Sequence, residues 1–517
     1  MQKVFGVHFK WFALFFLGGF GVVLASGMYT DFHAAGIDFW TILYYGRRMT
    51  PAQPESLYNG FYPFGYAFLI GQMPFTYALS LSYLLNALLA GLFTASVSTL
   101  VLSSRSLPAT VLAFVLSIVT PNVFVNANIL GPDIGSLAFT AFAVFLLWRS
   151  HFDHSSDELS DSASILIGVS LGLSVLFRSH AIVSSIAILF CYILVTGVRP
   201  FRSRGLMLGA FLVVFSLQVV VNLVSGHGAL ETAQNFNIYK FFYGVDWTVS
   251  VTPEELKDFS LIETVMRSPK DAWNAYWVVF RYYLVANWVV ALLFLLSPKG
   301  RTSRYAVFSI LFVLVYAIPV SLSDSARGPI LLMGAYVTSI AFLPLAIEDT
   351  LKARLRSSRR AIPAAMGVFF LLLIPTAYQW MRLDLDFLRA NRAERNVLFN
   401  VEQVLLKSGM KSPDEVYADR YDFYTPNTMP YRSRLIGNWS GDWIWGFNED
   451  YPPLPNDSWE SFAEACREQG VRFMVLSPNS HYRGDFFPPI YNDEVDLDAL
   501  GLTFIARRGN LKIYEFQ

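Results

Sequence analysis

Tyr62-Pro63-Phe64-Gly65-Tyr66-Ala67-Phe68-Leu69-Ile70-Gly71-Gln72-Met73-Pro74-Phe75-Thr76-Tyr77 decides how the whole chain is threaded. It is apolar enough to be counted as a membrane span, yet Pro63, Gly65, Gly71 and Pro74 interrupt it. Counting it would move every later connection to the opposite side of the bilayer. The basic residues forbid that. They gather in alternate connections: Lys3 and Lys10; Arg105; Arg149; Arg199, Arg202 and Arg204; Lys299, Arg301 and Arg304; and Lys352, Arg354, Arg356, Arg359 and Arg360. This alternation obeys the positive-inside rule only if 62–77 does not cross. The segment is therefore expected to be a broken helix in the outer interface.

Outward from it, apolar runs give about eleven spans by hydropathy: 11–29, 79–103, 107–126, 133–149, 163–178, 180–198, 206–225, 276–297, 305–322, 329–347 and 361–380. Composition agrees. Residues of the AVILMFWYC set make up 54% of the 517 residues and only 15% are charged, with mean hydropathy +0.42. Soluble domains carry about 25% charged residues. The 39 basic and 39 acidic residues cancel, so no global field suggests nucleic acid as a partner. No phosphate-binding glycine loop and no zinc-like Cys/His spacing occur. Cys191 lies in an apolar run and Cys466 in the polar tail, so a disulfide between them is not expected. The first run is long and lacks a small-x-small cleavage site, which reads as an uncleaved helix rather than a leader.

The expected fold class is mostly α: a polytopic transmembrane bundle over 1–380, followed by a small soluble domain over 381–517. After Met381 the composition turns polar. Helical stretches (Ala390 to Lys407, Ser458 to Gln469) alternate with strand-like ones (Arg472 to Ser477, Lys512 to Phe516), as in a small α/β or α+β domain. On the outer side would lie 30–77, the connection ending at Asp133, the long loop 226–275, and the tail. A second interfacial helix is expected over Phe39 to Met49.

Acids near the apolar phase lose hydration unless they are paired or face a wet cavity, so they mark functional sites. Asp38 lies in the first outer loop, and Asp133 opens the fourth span behind Pro132. One carboxylate can serve as general base on a hydroxyl while the other orients it. The competing reading is helix capping by both. Asp31 is the alternative first acid, and His33 reads as an interfacial polar residue. Cations at outer span ends break the positive-inside rule: Arg178, His180, Lys240, Arg281 and Arg327. Guanidinium forks match phosphate oxygens. Snorkelling, or an Asp324–Arg327 pair, is the plainer account. Tyr44, Tyr62, Asn128 and Tyr243 are candidates for substrate contact, being side chains that stack on or hydrogen-bond sugars.

The outer acid followed by tyrosines, then Leu57-Tyr58, Tyr62-Pro63-Phe64-Gly65-Tyr66 and Pro132-Asp133, resembles the GT-C superfamily of integral-membrane glycosyltransferases. Members take sugar from a polyprenyl-phosphate carrier on the outer or lumenal face, and many carry a soluble C-terminal domain there. The resemblance implies an inverting hexosyl or pentosyl transfer, with Asp38 (or Asp31) as first acid, Asp133 as second, and Arg327 on the carrier phosphate. It implies a polyprenyl-phosphate-sugar donor and a glycan or lipid acceptor, in cell-envelope glycan biosynthesis. No cofactor is required; a divalent cation at Asp38 and Asp133 is the one metal the acids suggest. The first acid lacks an adjacent second acid, and Gly441-Asp442-Trp443-Ile444-Trp445 is not the WWD-like signature of oligosaccharyltransferases. The short loops and modest tail suggest a bacterial inner membrane with the site on the periplasmic face. A transporter or flippase of a lipid-linked or small solute is the rival class, disfavoured by the lack of an internal repeat. A membrane scaffold whose tail binds a partner is a third.

Overall fold

A computed structural model describes residues 9–29, 37–58, 62–74, 77–102, 107–119, 123–152, 160–196, 201–230, 260–274, 277, 351, 361–412, 415–418, 454–455, 457–478 and 485–517. Its helices follow the apolar runs: α1 (Phe9–Tyr29), α2 (Ile37–Arg48), α3 (Phe64–Gly71), α4 (Ala78–Leu102), α5 (Leu107–Val119), α6 (Val123–Asn128), α7 (Asp133–Phe152), α8 (Asp161–Phe177), α9 (Ala181–Thr196), α10 (Phe201–Val224), α11 (Leu261–Arg267) and α12 (Ala361–Lys407). Among the described residues α1, α4 and α10 are long and apolar enough to cross a membrane, and α5, α7, α8 and α9 carry shorter apolar stretches. The chain is a membrane protein. The runs at 305–322 and 329–347 and nearly all of 276–297 lie outside the described residues, so the count of about eleven rests partly on sequence. The run 107–126 is divided between α5 and α6.

The stretch 62–77 behaves as its breakers dictate. Pro63 stands at the N-cap of α3, which runs only eight residues before Gln72 caps it. At a rise of 1.5 Å per residue this helix covers about 12 Å, too short to span. It lies against α2, the expected interfacial helix. Phe39, Ile42 and Leu43 form the buried face of α2 and join Tyr62, Tyr66, Ala67 and Ile70 in one core with α4 and α7. The two backbones touch: a Cβ on Gly46 would sit 2.0 Å from Ala67 O, and one on Gly71 would sit 2.0 Å from Gly46 C.

The N-terminal end of α7 and the C-terminal ends of α8 and α10 meet at α3: Arg178 pairs with Asp133, a Cβ on Gly65 would meet Leu176 O, and Phe64 N–H donates to Gln218 Oε1. The far end carries the exposed Arg202–Asp161 pair (2.6 Å).

Helix α12 is continuous over 47 residues with Pro375 inside it. The change of composition at 381 therefore falls within a helix rather than at a linker. Leu388 packs on Phe124 of α6, and Arg389 donates to Tyr29 Oη at the end of α1 (2.6 Å). The stalk thus stands on the end of the bundle that holds Asp133. Gly409, at φ +89, stops the helix, with Met410 N–H donating back to Leu405 O, a Schellman-type ending.

Beyond the stalk, a four-stranded sheet has the order β1 (Val416–Ala418), β2 (Phe473–Leu476), β4 (Leu511–Phe516), β3 (Leu502–Arg508). β1 pairs parallel to β2, and the other two pairings are antiparallel. Alternation along β2 makes two cores. Phe473 and Val475 face Leu398, Val401 and Leu405 of the stalk. Met474 and Leu476 face Phe462 of α13 (Trp459–Glu468) and Phe487 of α14 (Phe487–Tyr491). The result is a helix–sheet–helix α/β domain. Cys191 and Cys466 are both free and buried.

Candidate functional site

The site gathers where α7 begins and α8 ends. Asp133 is the first residue of α7, where the helix dipole favours a carboxylate. Arg178 is the C-cap residue of α8, already in extended backbone, so its side chain leaves the helix. Its Nε lies 2.8 Å from Asp133 Oδ1, with the two side chains only 12% and 14% exposed. Two close approaches hold the geometry. A Cβ on Gly135 would strike the Phe177 ring at 2.2 Å, and one on Gly65 would lie 2.5 Å from Leu176 O. Helices α7 and α3 thus press directly on the end of α8. The buried Tyr62 ring lies with its centroid 5.4 Å from the Arg178 guanidinium carbon, within cation–π range.

Beneath this, Tyr66 Oη donates to Asn86 Oδ1 (3.3 Å), and Asn86 Nδ2 donates to Ala127 O (3.4 Å). Asn86, on α4, was not expected from sequence; a single amide within an apolar run carries little signal by itself. Half-buried His180 follows two residues after Arg178.

Of the other expected residues, Asp38 and Tyr44 have backbone in α2, at its first turn and mid-length respectively, while their side chains lie outside the description. Asn128 is fully buried and donates to Phe124 O of its own helix (2.8 Å). Asp31, Lys240, Tyr243, Arg281 and Arg327 lie outside the described residues. The structure therefore brings together Asp133, Arg178, Tyr62 and His180. Among the described residues no three His, Cys, Asp or Glu side chains are grouped to hold a metal ion.

The fold, a helical bundle with two short helices packed against it, an acid at the head of α7 and a small α/β domain beyond the stalk, has counterparts among solved structures. It is shared with ArnT from Cupriavidus metallidurans bound to undecaprenyl phosphate, at 13% identity over 98% of each chain, TM-score 0.61. The apo state of that protein aligns at 14% identity over 96% of this chain and 98% of the other, TM-score 0.55. At such identities the likeness is one of fold. No family model matches the chain, and no curated protein matches it.

Proposed function

We propose that this chain is an integral-membrane glycosyltransferase. It moves a sugar from a polyprenyl-phosphate donor to a glycan or lipid acceptor at the Asp133 end of the bundle, on the extracytoplasmic face. The observation that carries the reading is the nearly buried Asp133–Arg178 pair under Tyr62, set beneath the outer helices of a fold whose relative ArnT was crystallised with undecaprenyl phosphate. Arg202 and Arg204 at the far end fit a cytoplasmic assignment for that side.

The reaction is an inverting displacement. Asp38, in the first turn of α2, takes the proton of the acceptor hydroxyl, whose oxygen attacks the anomeric carbon. The bond from that carbon to the phosphate oxygen breaks, and polyprenyl phosphate leaves with the electron pair. Arg178, Arg327, Lys240 and Arg281 offset its charge. His180, two residues beyond Arg178, adds a polar ring beside that guanidinium. Asp133 orients Arg178, while Tyr44, Tyr62 and Tyr243 line the sugar path. Asp31 stands in reserve for Asp38. Oδ1 of Asp133 is already taken by a guanidinium, which disfavours a divalent cation on that carboxylate.

The test is release of label from a panel of radiolabelled polyprenyl-phosphate sugars by the purified protein in lipid, with Asp38→Asn and Asp133→Asn alongside. Consumption of one donor, lost in the variants, supports the assignment and identifies the sugar. Consumption of none in the presence of acceptors overturns it in favour of transport or scaffolding.

A further inference from the structure

The first outer loop is fastened to α10 by contacts that the reaction above does not use. Phe64 N–H, an orphan donor at the start of α3, is accepted by Gln218 Oε1 of α10 (3.1 Å). Gln218 Nε2 donates to Asn222 Oδ1 (2.9 Å), and Asn222 Nδ2 donates to Ala229 O (3.2 Å). This chain fixes the amide orientation: with Nε2 committed to Asn222, only Oε1 is left to face Phe64. Two more links reinforce it about two turns further on. Ser225 Oγ donates to Glu55 O (3.3 Å), and the Tyr58 and His227 rings stack with centroids 3.9 Å apart. These contacts join Glu55, Tyr58 and Phe64 to the end of α10 and the residues just after it.

We infer that Gln218 is a positioning residue for the Asp133–Arg178 site. It holds the corner Tyr62-Pro63-Phe64 so that the Tyr62 ring stays over the Arg178 guanidinium. Pro63 has no N–H to offer, and the α3 N-cap has no side-chain hydrogen bond, so Gln218 stands in for the missing cap. Tyr62 is two residues from the bonded amide and 4% exposed. Its ring helps keep Arg178 dry and aimed at Asp133. Polar residues between membrane helices are retained for a partner, and the partner of Gln218 is the backbone that carries the lid of the site. This role deepens the glycosyltransferase reading, but the contact exists whether or not that reading holds.

The experiment uses the full-length protein in lipid nanodiscs and phenylglyoxal, a guanidine-specific reagent, with modification at Arg178 followed by mass spectrometry. The variants are Gln218→Leu, Gln218→Glu, Tyr62→Leu and the double Gln218→Leu/Tyr62→Leu. Gln218→Leu is expected to raise the Arg178 modification rate by about fivefold, the equivalent of one lost hydrogen bond. Gln218→Glu keeps an acceptor for Phe64 N–H but loses the donor to Asn222 Oδ1, so it is expected to recover only part of the wild-type rate. In the Tyr62→Leu background Gln218→Leu is expected to add nothing, because the effect passes through that ring. An unchanged rate in Gln218→Leu, or effects that simply multiply in the double variant, overturns the proposal. Binding of undecaprenyl phosphate by the same samples forms a separate arm. Its absence in the wild type removes the functional reading and leaves the positioning result standing.

Discussion

Arg178 Nε meets Asp133 Oδ1 at 2.8 Å across the junction of two membrane helices, with both side chains largely withdrawn from solvent. Removing one partner leaves a charge in a poor dielectric, which costs far more than the pair contributes. Arg178→Met is therefore expected to destabilise the protein by about 3 kcal/mol. The double variant Arg178→Met/Asp133→Leu should recover most of that loss in stability and none in activity. Thermal unfolding in one detergent, for the two variants and wild type, decides the matter. A double variant no more stable than Arg178→Met would show that the pair is not the source of the loss.

Gly46 and Gly71 join the helix that carries Asp38 to the helix that follows Tyr62. At 2.0 Å from Ala67 O, a methyl group on Gly46 has no room, and the obstacle is backbone, which cannot rotate aside. Gly46→Ala is expected to separate α2 from α3, lowering stability by about 2 kcal/mol and abolishing transfer. Gly209→Ala, where a Cβ meets nothing within 4 Å, is the matched control. It should leave both unchanged. Equal melting temperatures for the two variants would refute the close packing.

These contacts mark the boundary of what the sequence discloses. The breakers of 62–77 act within a few residues of themselves, so a short α3 was legible. Asp133 and Arg178 were each legible as a charge out of place. Their pairing was not: it depends on Gly135 meeting Phe177 and on α7 and α8 lying side by side, a tertiary fact with no local signal. Gln218 and Asn86 are amides in apolar helices, indistinguishable in sequence from lipid-facing or space-filling ones. In the tail, β2 and β4 were foreseen because their β-branched and aromatic residues are concentrated. β1 is only three residues long, too short to stand out as a run, and in the largely exposed β3 the Thr503-Phe504-Ile505 run gives way to Ala506-Arg507-Arg508. The shift in composition at 381 reads as a boundary, yet helix formers such as Met381, Leu383 and Leu385 carry α12 straight through it.

Lys512 fastens the turn after α14 to β4. Its Nζ donates to Asp493 Oδ2 and to Tyr491 O, both at 2.6 Å. Asp493 is held at φ +61, a left-handed conformation for a residue other than glycine. Lys512→Met keeps the aliphatic packing and strands the Tyr491 carbonyl. It is expected to cost about 2 kcal/mol and to speed amide hydrogen exchange across Leu511–Phe516. Asp493→Asn keeps an acceptor and tolerates the left-handed region, so exchange there should stay near wild type. Unaltered exchange in Lys512→Met would mean that the turn is held by other contacts.

Asp384 places a carboxyl in the apolar seam between the stalk and the bundle. It is 7% exposed, lies one helical turn before Leu388, and its Oδ2 has no hydrogen-bond partner among the described residues. Burial pushes its pKa up to about 6 from the ordinary 3.8. Between those values the folded protein holds a proton that the unfolded chain has released. Stability from this group is therefore complete below pH 4, declines as pH rises, and is lost above pH 6. That interval corresponds to about 3 kcal/mol. Asp384→Asn removes the titration and keeps the shape. It is expected to match wild type near pH 4 and to exceed it by several degrees in melting temperature at pH 7.5. The difference between the two proteins, followed from pH 4 to 8, isolates Asp384 from every other carboxyl that titrates in that range. A difference that stays flat across the range would mean that the carboxyl is solvated and that the stalk leaves the bundle there.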